Sequence, residues 1–255
     1  MPIFVKAGLW GFLAGSGLLF GAIAADLLFK KISHRFIAAV TGLGGGVLIA
    51  IVSADLMHSA LKDGHLLSAI GGVLAGAGMF SLLNWRLAVR GAKDRKRCGG
   101  CVEQPKEAEH RGSGIAIAVG SVLDGVPESL VIGLAAVSGD GIGATVVLGF
   151  FLANVPQGLS SASGMKTAGR SRRYIYTIWL AIPLVVGLAA AVGALALTSA
   201  TPQVPAAILA FAAGAVLAML AEAMIPEAVH DAPPFIGLIT AVGFLGAFMM
   251  LSNHG

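Results

Sequence analysis

Apolar residues along the chain gather into eight long runs separated by short polar stretches. A helix crossing the hydrocarbon core of a bilayer needs about 20 such residues. The runs place spans at Ala7–Phe29, Phe36–Met57, Leu66–Trp85, Gly114–Val137, Gly141–Gly164, Tyr174–Leu197, Gln203–Pro226 and Pro234–Ser252. The pattern therefore predicts an all-α, polytopic membrane protein with eight transmembrane helices. The first run is too long, and Lys6 too slight a basic start, for a cleaved signal peptide. One polar stretch is long. It divides the chain into helices 1–3 (residues 1–85), a loop (86–113) and helices 4–8 (114–255). Short connections elsewhere imply that neighbouring helices pack antiparallel.

Composition narrows the class further. Hydrophobic residues make up 56% of the chain and charged ones 12%, with a mean hydropathy of +0.87. Soluble domains carry about 25% charge. This excludes a soluble globule, a disordered chain and a nucleic-acid binder. The 36 glycines suit closely packed membrane helices, where small residues let backbones approach.

The basic residues fall in alternate loops. Of 17 Lys and Arg residues, all but Lys6 and Lys62 lie in the first, third and fifth connections. Cytoplasmic loops hold the excess of Lys and Arg. The expected location is therefore the plasma (inner) membrane, with these loops cytoplasmic and both termini outside. Topology accounts for the charge runs without a nucleic-acid partner.

Six acids fall within or at the ends of the spans: Asp26, Asp55, Asp124, Glu128, Glu222 and Glu227. No Lys or Arg lies deep in any span. A charge at a helix centre costs about 2.5–3.5 kcal/mol on insertion scales. Without a basic partner, such carboxylates face water, bind a cation or take up a proton. Asp26, Asp55 and Glu227 stand near span ends, where solvation or capping explains them equally well.

Asp124 and Glu128 are different. They sit mid-span, four residues apart and so on one helix face. Pro127 lies between them, lacking the backbone donor and clashing one turn back. A break there frees carbonyl oxygens that can point at an ion. The next span carries Asn154 and Gln157 around Pro156, and Glu222 to Glu227 brackets Pro226. A single proline is commonly a packing kink, but matched kinks with polar flanks on adjacent spans favour a site. Carboxylates with amide and carbonyl oxygens form a hard-oxygen cation site.

With these residues in place, the chain resembles the ZIP family of divalent-metal transporters. Asp124-Gly125-Val126-Pro127-Glu128-Ser129 is similar to the family's His-Asn-x-Pro-Glu-Gly motif on its fourth helix. Ala153-Asn154-Val155-Pro156-Gln157-Gly158 is similar to the related fifth-helix motif. Gly44 to Ala50 resembles the second helix, and Ala210 to Glu227 the seventh. The resemblance implies that Asp124, Glu128, Asn154 and Gln157 bind a divalent ion (Zn²⁺, Fe²⁺ or Mn²⁺) as substrate. It implies transport toward the cytoplasm by alternating access, with a transport unit sliding against a dimeric scaffold. Glu128 matches the family's Glu. Asp124 stands where the family has His, Gly125 where it has Asn, Gln157 where it has Glu or His, and Ile182 where many members have Glu. These departures argue against a two-metal centre. An all-oxygen donor set also weakens preference for Zn²⁺ or Cu²⁺ and eases Mn²⁺, Fe²⁺ or Mg²⁺.

Glu222 and Asp55 are candidates for the ion path or for supporting contacts. The loop holds Cys98 and Cys101, the spacing of half a zinc site, with His110 nearby. These three could capture metal or belong to a solvated loop, expected to be largely disordered. No nucleophile–base pair stands out, so neither an enzyme nor a resident cofactor is expected. The expected partners are divalent cations, the lipid bilayer and, by resemblance, a second copy of the chain. Two other functions use the same carboxylates or loop: a non-transporting metal sensor, and a proton-coupled or organic-cation carrier.

Overall fold

The computed structural model describes residues 1–28, 33–61, 66–89, 113–138, 144–198, 203–230 and 232–252. Among the described residues there is no strand, and eight helical rods carry the fold. These are α1 (Ile3–Leu28), α2 (His34–Ala50, running on through Ile51–Leu56 and Met57–Leu61), α3 (Leu66–Leu87), α4 (Ser113–Ser138), α5 (Ala144–Thr167), α6 (Arg172–Leu197), α7 (Gln203–Met219, running on through Leu220–Met224 and Ile225–His230) and α8 (Ile236–Ser252). The second segments of α2 and α7 are single π-helical turns. Such widened turns are frequent at functional sites.

Six rods are both long and apolar enough to cross a membrane. The other two fall short for different reasons. Helix α8 has 17 residues. Helix α5 is diluted by Asn154, Gln157, Ser160, Ser161 and Ser163, all of them buried. Polar atoms inside and leucines outside is the arrangement a membrane-embedded bundle requires. Leu67, Leu74, Leu188, Val192 and Leu238, each mostly exposed, show the outer surface.

Serines cap two helix starts. The Ser33 hydroxyl accepts from the Phe36 N–H at 3.2 Å, and the Ser171 hydroxyl from the Tyr174 N–H at 3.3 Å. Between α5 and α6 the chain turns at Gly169, whose φ of +78° suits a residue without Cβ.

Glycines set the closest contacts. Gly17 and Gly21 of α1 seat against the Phe151 and Val155 carbonyls of α5, and Gly158 of α5 seats against the Leu18 carbonyl. A Cβ at any of the three would overlap backbone. Gly76 and Gly214 bring α3 onto α7 in the same way, and Gly46 and Gly243 bring α2 onto α8. The spacing of Gly17 and Gly21 is the small-xxx-small pattern of membrane helix pairs.

The helix boundaries carry an internal repeat. Ile3 and Arg172, Leu28 and Leu197, His34 and Gln203, and Leu61 and His230 are each 169 residues apart. The π-turns repeat at the same offset, Ile51 against Leu220. Gly8 of α1 faces Gly187 and Ala191 of α6, while Gly15 faces Pro183, so these two counterparts run antiparallel. The triplet α6–α8 thus repeats α1–α3 upside down, with α4 and α5 between them.

Candidate functional site

The two intervening helices carry the acidic and amide residues singled out from the sequence. Asp124 (2% exposed), Glu128 (0%), Asn154 (1%) and Gln157 (1%) are all buried. None points into the lipid-facing surface. Helix α4 packs against α1, α6 and α7, and α5 against α1 and α2, so both lie inside the bundle.

The breaks expected at Pro127 and Pro156 do not occur: α4 and α5 are continuous helices through both residues. Each proline still removes one N–H, which leaves the Leu123 and Leu152 carbonyls without their usual donor. Around Pro156, α5 packs closely on α1. Gly17 and Gly21 of α1 press on the Phe151 and Val155 carbonyls, on either side of the Leu152 position. On α4, Gly125 faces Val186 of α6, with a built Cβ 2.7 Å from Val186 Cγ2.

One contact joins the two helices directly. Asn154 Nδ2 donates to Glu128 Oε2 at 2.7 Å and also lies 3.3 Å from the Ala14 carbonyl. Gly17 lets α1 approach Asn154 closely, since a Cβ there would lie 3.0 Å from Asn154 Cβ. Glu128 is therefore held from α5, and Asn154 is held from α1. A half-turn of the Asn154 amide would present its oxygen, next to the Glu128 carboxylate, to a cation.

Gln157 is engaged elsewhere. Its Nε2 lies 3.4 Å from the Ala153 carbonyl and 3.6 Å from Met224 Sδ of α7. Its Oε1 accepts no hydrogen bond among the described residues. Glu222 also turns to another helix. Its carboxylate accepts from Ser81 and, at 2.7 Å, from Asn84 Nδ2, both on α3. Asp55 lies in the π-turn of α2, with its side chain outside the described residues. Cys98, Cys101 and His110 lie outside the described residues altogether.

Two residues change the sequence reading. Asp26 has basic partners after all: Lys166 Nζ at 2.6 Å and Arg172 Nε at 3.2 Å, with the Tyr176 hydroxyl donating at 3.0 Å. Because α1 and α5 run parallel, their ends meet, and residues 140 positions apart pair. Glu227, which a helix end would explain equally well, is instead buried (8% exposed) and accepts from the Ser160 hydroxyl of α5. The signal in the sequence was the polar row Asn154, Gln157 and Ser160 at helical spacing on α5.

Among the described residues, no three His, Cys, Asp or Glu side chains converge on one point. A cation here would rest on two carboxylates of one helix and on neutral oxygens from neighbours. No family model matches this chain, and no curated protein matches it either.

Proposed function

We propose that this protein moves divalent metal cations across a membrane toward the cytoplasm by alternating access, as its resemblance to the ZIP family implies. Zn²⁺, Fe²⁺ or Mn²⁺ is the substrate class. The observation that carries this reading is the buried pairing of Glu128 with Asn154, one turn from Asp124 and beside two in-helix prolines. A carboxylate pair inside a bilayer is expensive, and membrane-buried ionisable groups mark ion pathways.

The inverted repeat supports the same reading. Many secondary transporters are built from two oppositely oriented repeats, with the substrate site near the midplane at their interface. Here the helices bearing the site stand between the repeats. Rocking of one triplet against the other would expose Asp124 and Glu128 first to one side, then to the other. The oxygen-only donor set favours Mn²⁺ and Fe²⁺ over thiophilic ions.

Uptake into proteoliposomes loaded with a metal-sensitive dye is the deciding experiment. Mn²⁺, Fe²⁺ or Zn²⁺ should enter, compete with one another, and stop entering when Asp124 and Glu128 are both replaced by Ala. No uptake by the wild-type protein would favour a sensor. Uptake of organic cations, indifferent to all the metals, would favour an organic-cation carrier. Metal uptake unchanged in the double variant would overturn the site.

A further inference from the structure

We propose that Glu227, Ser160, Gln157 and Thr41 form a second cation station, between the Asp124–Glu128 level and the basic end of the bundle. The proposal rests on the transport reading and adds a second binding position to it.

Two rungs connect α5 to α7. Gln157 meets Met224, and three residues further along both helices Ser160 meets Glu227. Thr41 of α2 supplies the third wall. Gly44 faces Ala153 and Pro156 of α5, whereas Gly45 faces Leu220 of α7. At ~100° per residue, Thr41 projects about 60° on from Gly44 and about 40° short of Gly45. Its side chain therefore points between α5 and α7. The register agrees: α2 runs antiparallel to both helices, which sets Thr41 level with Gln157 and Met224.

Two oxygens at this level lack any hydrogen bond among the described residues. They are Thr41 Oγ1, on a residue with 0% exposure, and Gln157 Oε1, on one with 1%. Buried polar atoms are nearly always satisfied, so two orphans at one level call for a bound water or ion. Both are acceptors, and beside them stand a carboxylate and a hydroxyl. These four oxygens suit a hard divalent cation, and the Met224 thioether beside them is occupied by the Gln157 amide nitrogen at 3.6 Å.

The station lies on a path. Ser160 is six residues from Asn154, about 9 Å along α5. In the other direction, one turn beyond Glu227, an open cleft of about 520 Å³ is lined by His34, Arg35, Val229 and His230. An ion leaving Asp124 and Glu128 would meet Glu227 before reaching that cleft.

Equilibrium dialysis of the purified full-length protein against ⁵⁴Mn²⁺ tests this. The wild type should hold two ions per chain. Glu227→Gln keeps the shape and the Ser160 contact, and should hold one. The double variant Asp124→Asn, Glu128→Gln should also hold one. Thr41→Val should weaken only the second ion, about tenfold, which keeps the test decisive if Glu227→Gln does not fold. One ion in the wild type, lost on changing Asp124 and Glu128, would overturn the station and leave the transport site standing. Wild-type binding in both Glu227→Gln and Thr41→Val would do the same. Wild-type binding in the Asp124, Glu128 variant would overturn the transport site itself.

Discussion

Asn154 holds Glu128 across the α4–α5 interface through a 2.7 Å hydrogen bond, and its own position is fixed by α1 at the Ala14 carbonyl. A hydrogen bond to a charged group contributes about 1.5–3 kcal/mol. Replacing Asn154 by Ala removes this support and an amide oxygen that could bind the ion. Half-saturation for Mn²⁺ uptake should rise roughly tenfold or more, since about 1.4 kcal/mol is a factor of ten. Asn154→Asp should instead retain or strengthen binding, because it adds a carboxylate beside Glu128. Dye-based uptake at varied Mn²⁺ checks both; equal half-saturation in all three proteins would show that the contact is only structural.

The α1–α5 seam is tight enough to discriminate between glycines. A Cβ at Gly21 would overlap the Val155 carbonyl and lie 2.6 Å from the Leu159 nitrogen, and neither backbone atom can swing away. Overpacking of this kind costs about 1–3 kcal/mol. At Gly71 and Gly78 of α3, by contrast, nothing stands within 4 Å of a built Cβ. Ala at those sites gains up to about 1 kcal/mol of helix propensity. In detergent, Gly21→Ala should lower Tm, while Gly71→Ala and Gly78→Ala leave it unchanged or raise it.

Most of the fold was legible because membrane insertion forces it. The uniform apolar runs fixed the helix positions to within a few residues, as for Leu66–Leu87 against an expected Leu66–Trp85. The buried positions of Asp124, Glu128, Asn154 and Gln157 followed from their polar side chains within those runs. What did not follow was partner choice, since the sequence gives spacing along one helix and not register between two. Gln157 turns to Met224 rather than to Glu128, and Asp26 finds Lys166 140 positions away. The prolines differ from expectation in a further way: each removes a single N–H without breaking its helix, at Pro127 as at Pro156.

The Asp26 pairing should behave as two unequal bonds. Lys166 is mostly buried, and its ammonium meets both the carboxylate and the backbone carbonyl of Asp26, at 2.6 and 3.1 Å. The Arg172 side chain is 74% exposed. Exposed ion pairs contribute about 0–1 kcal/mol. A double-mutant cycle of Asp26→Asn and Lys166→Met should return a coupling near the top of that range, about 1 kcal/mol. The same cycle with Arg172→Gln should return less than about 0.5 kcal/mol. Equal couplings from thermal unfolding in detergent would contradict the geometry.

The same contact ties two basic connections to one end of the bundle. Since Lys166 reaches Asp26, the chain leaving α1 and the chain entering α6 emerge together, where Arg170, Arg172 and Arg173 also lie. The excess of Lys and Arg then predicts that this end faces the cytoplasm. Arg173 is exposed there, ahead of any apolar stretch of α6. With Cys98 and Cys101 replaced by Ser, Arg173→Cys should resist a membrane-impermeant maleimide added outside intact cells and react once the membrane is opened. A cysteine at Met1, exposed at the opposite end of α1, should react from outside without permeabilisation. Reversal of the two patterns would invert the protein in the membrane. The direction of the proposed ion path, from Asp124 and Glu128 toward Glu227, would then run outward instead of inward.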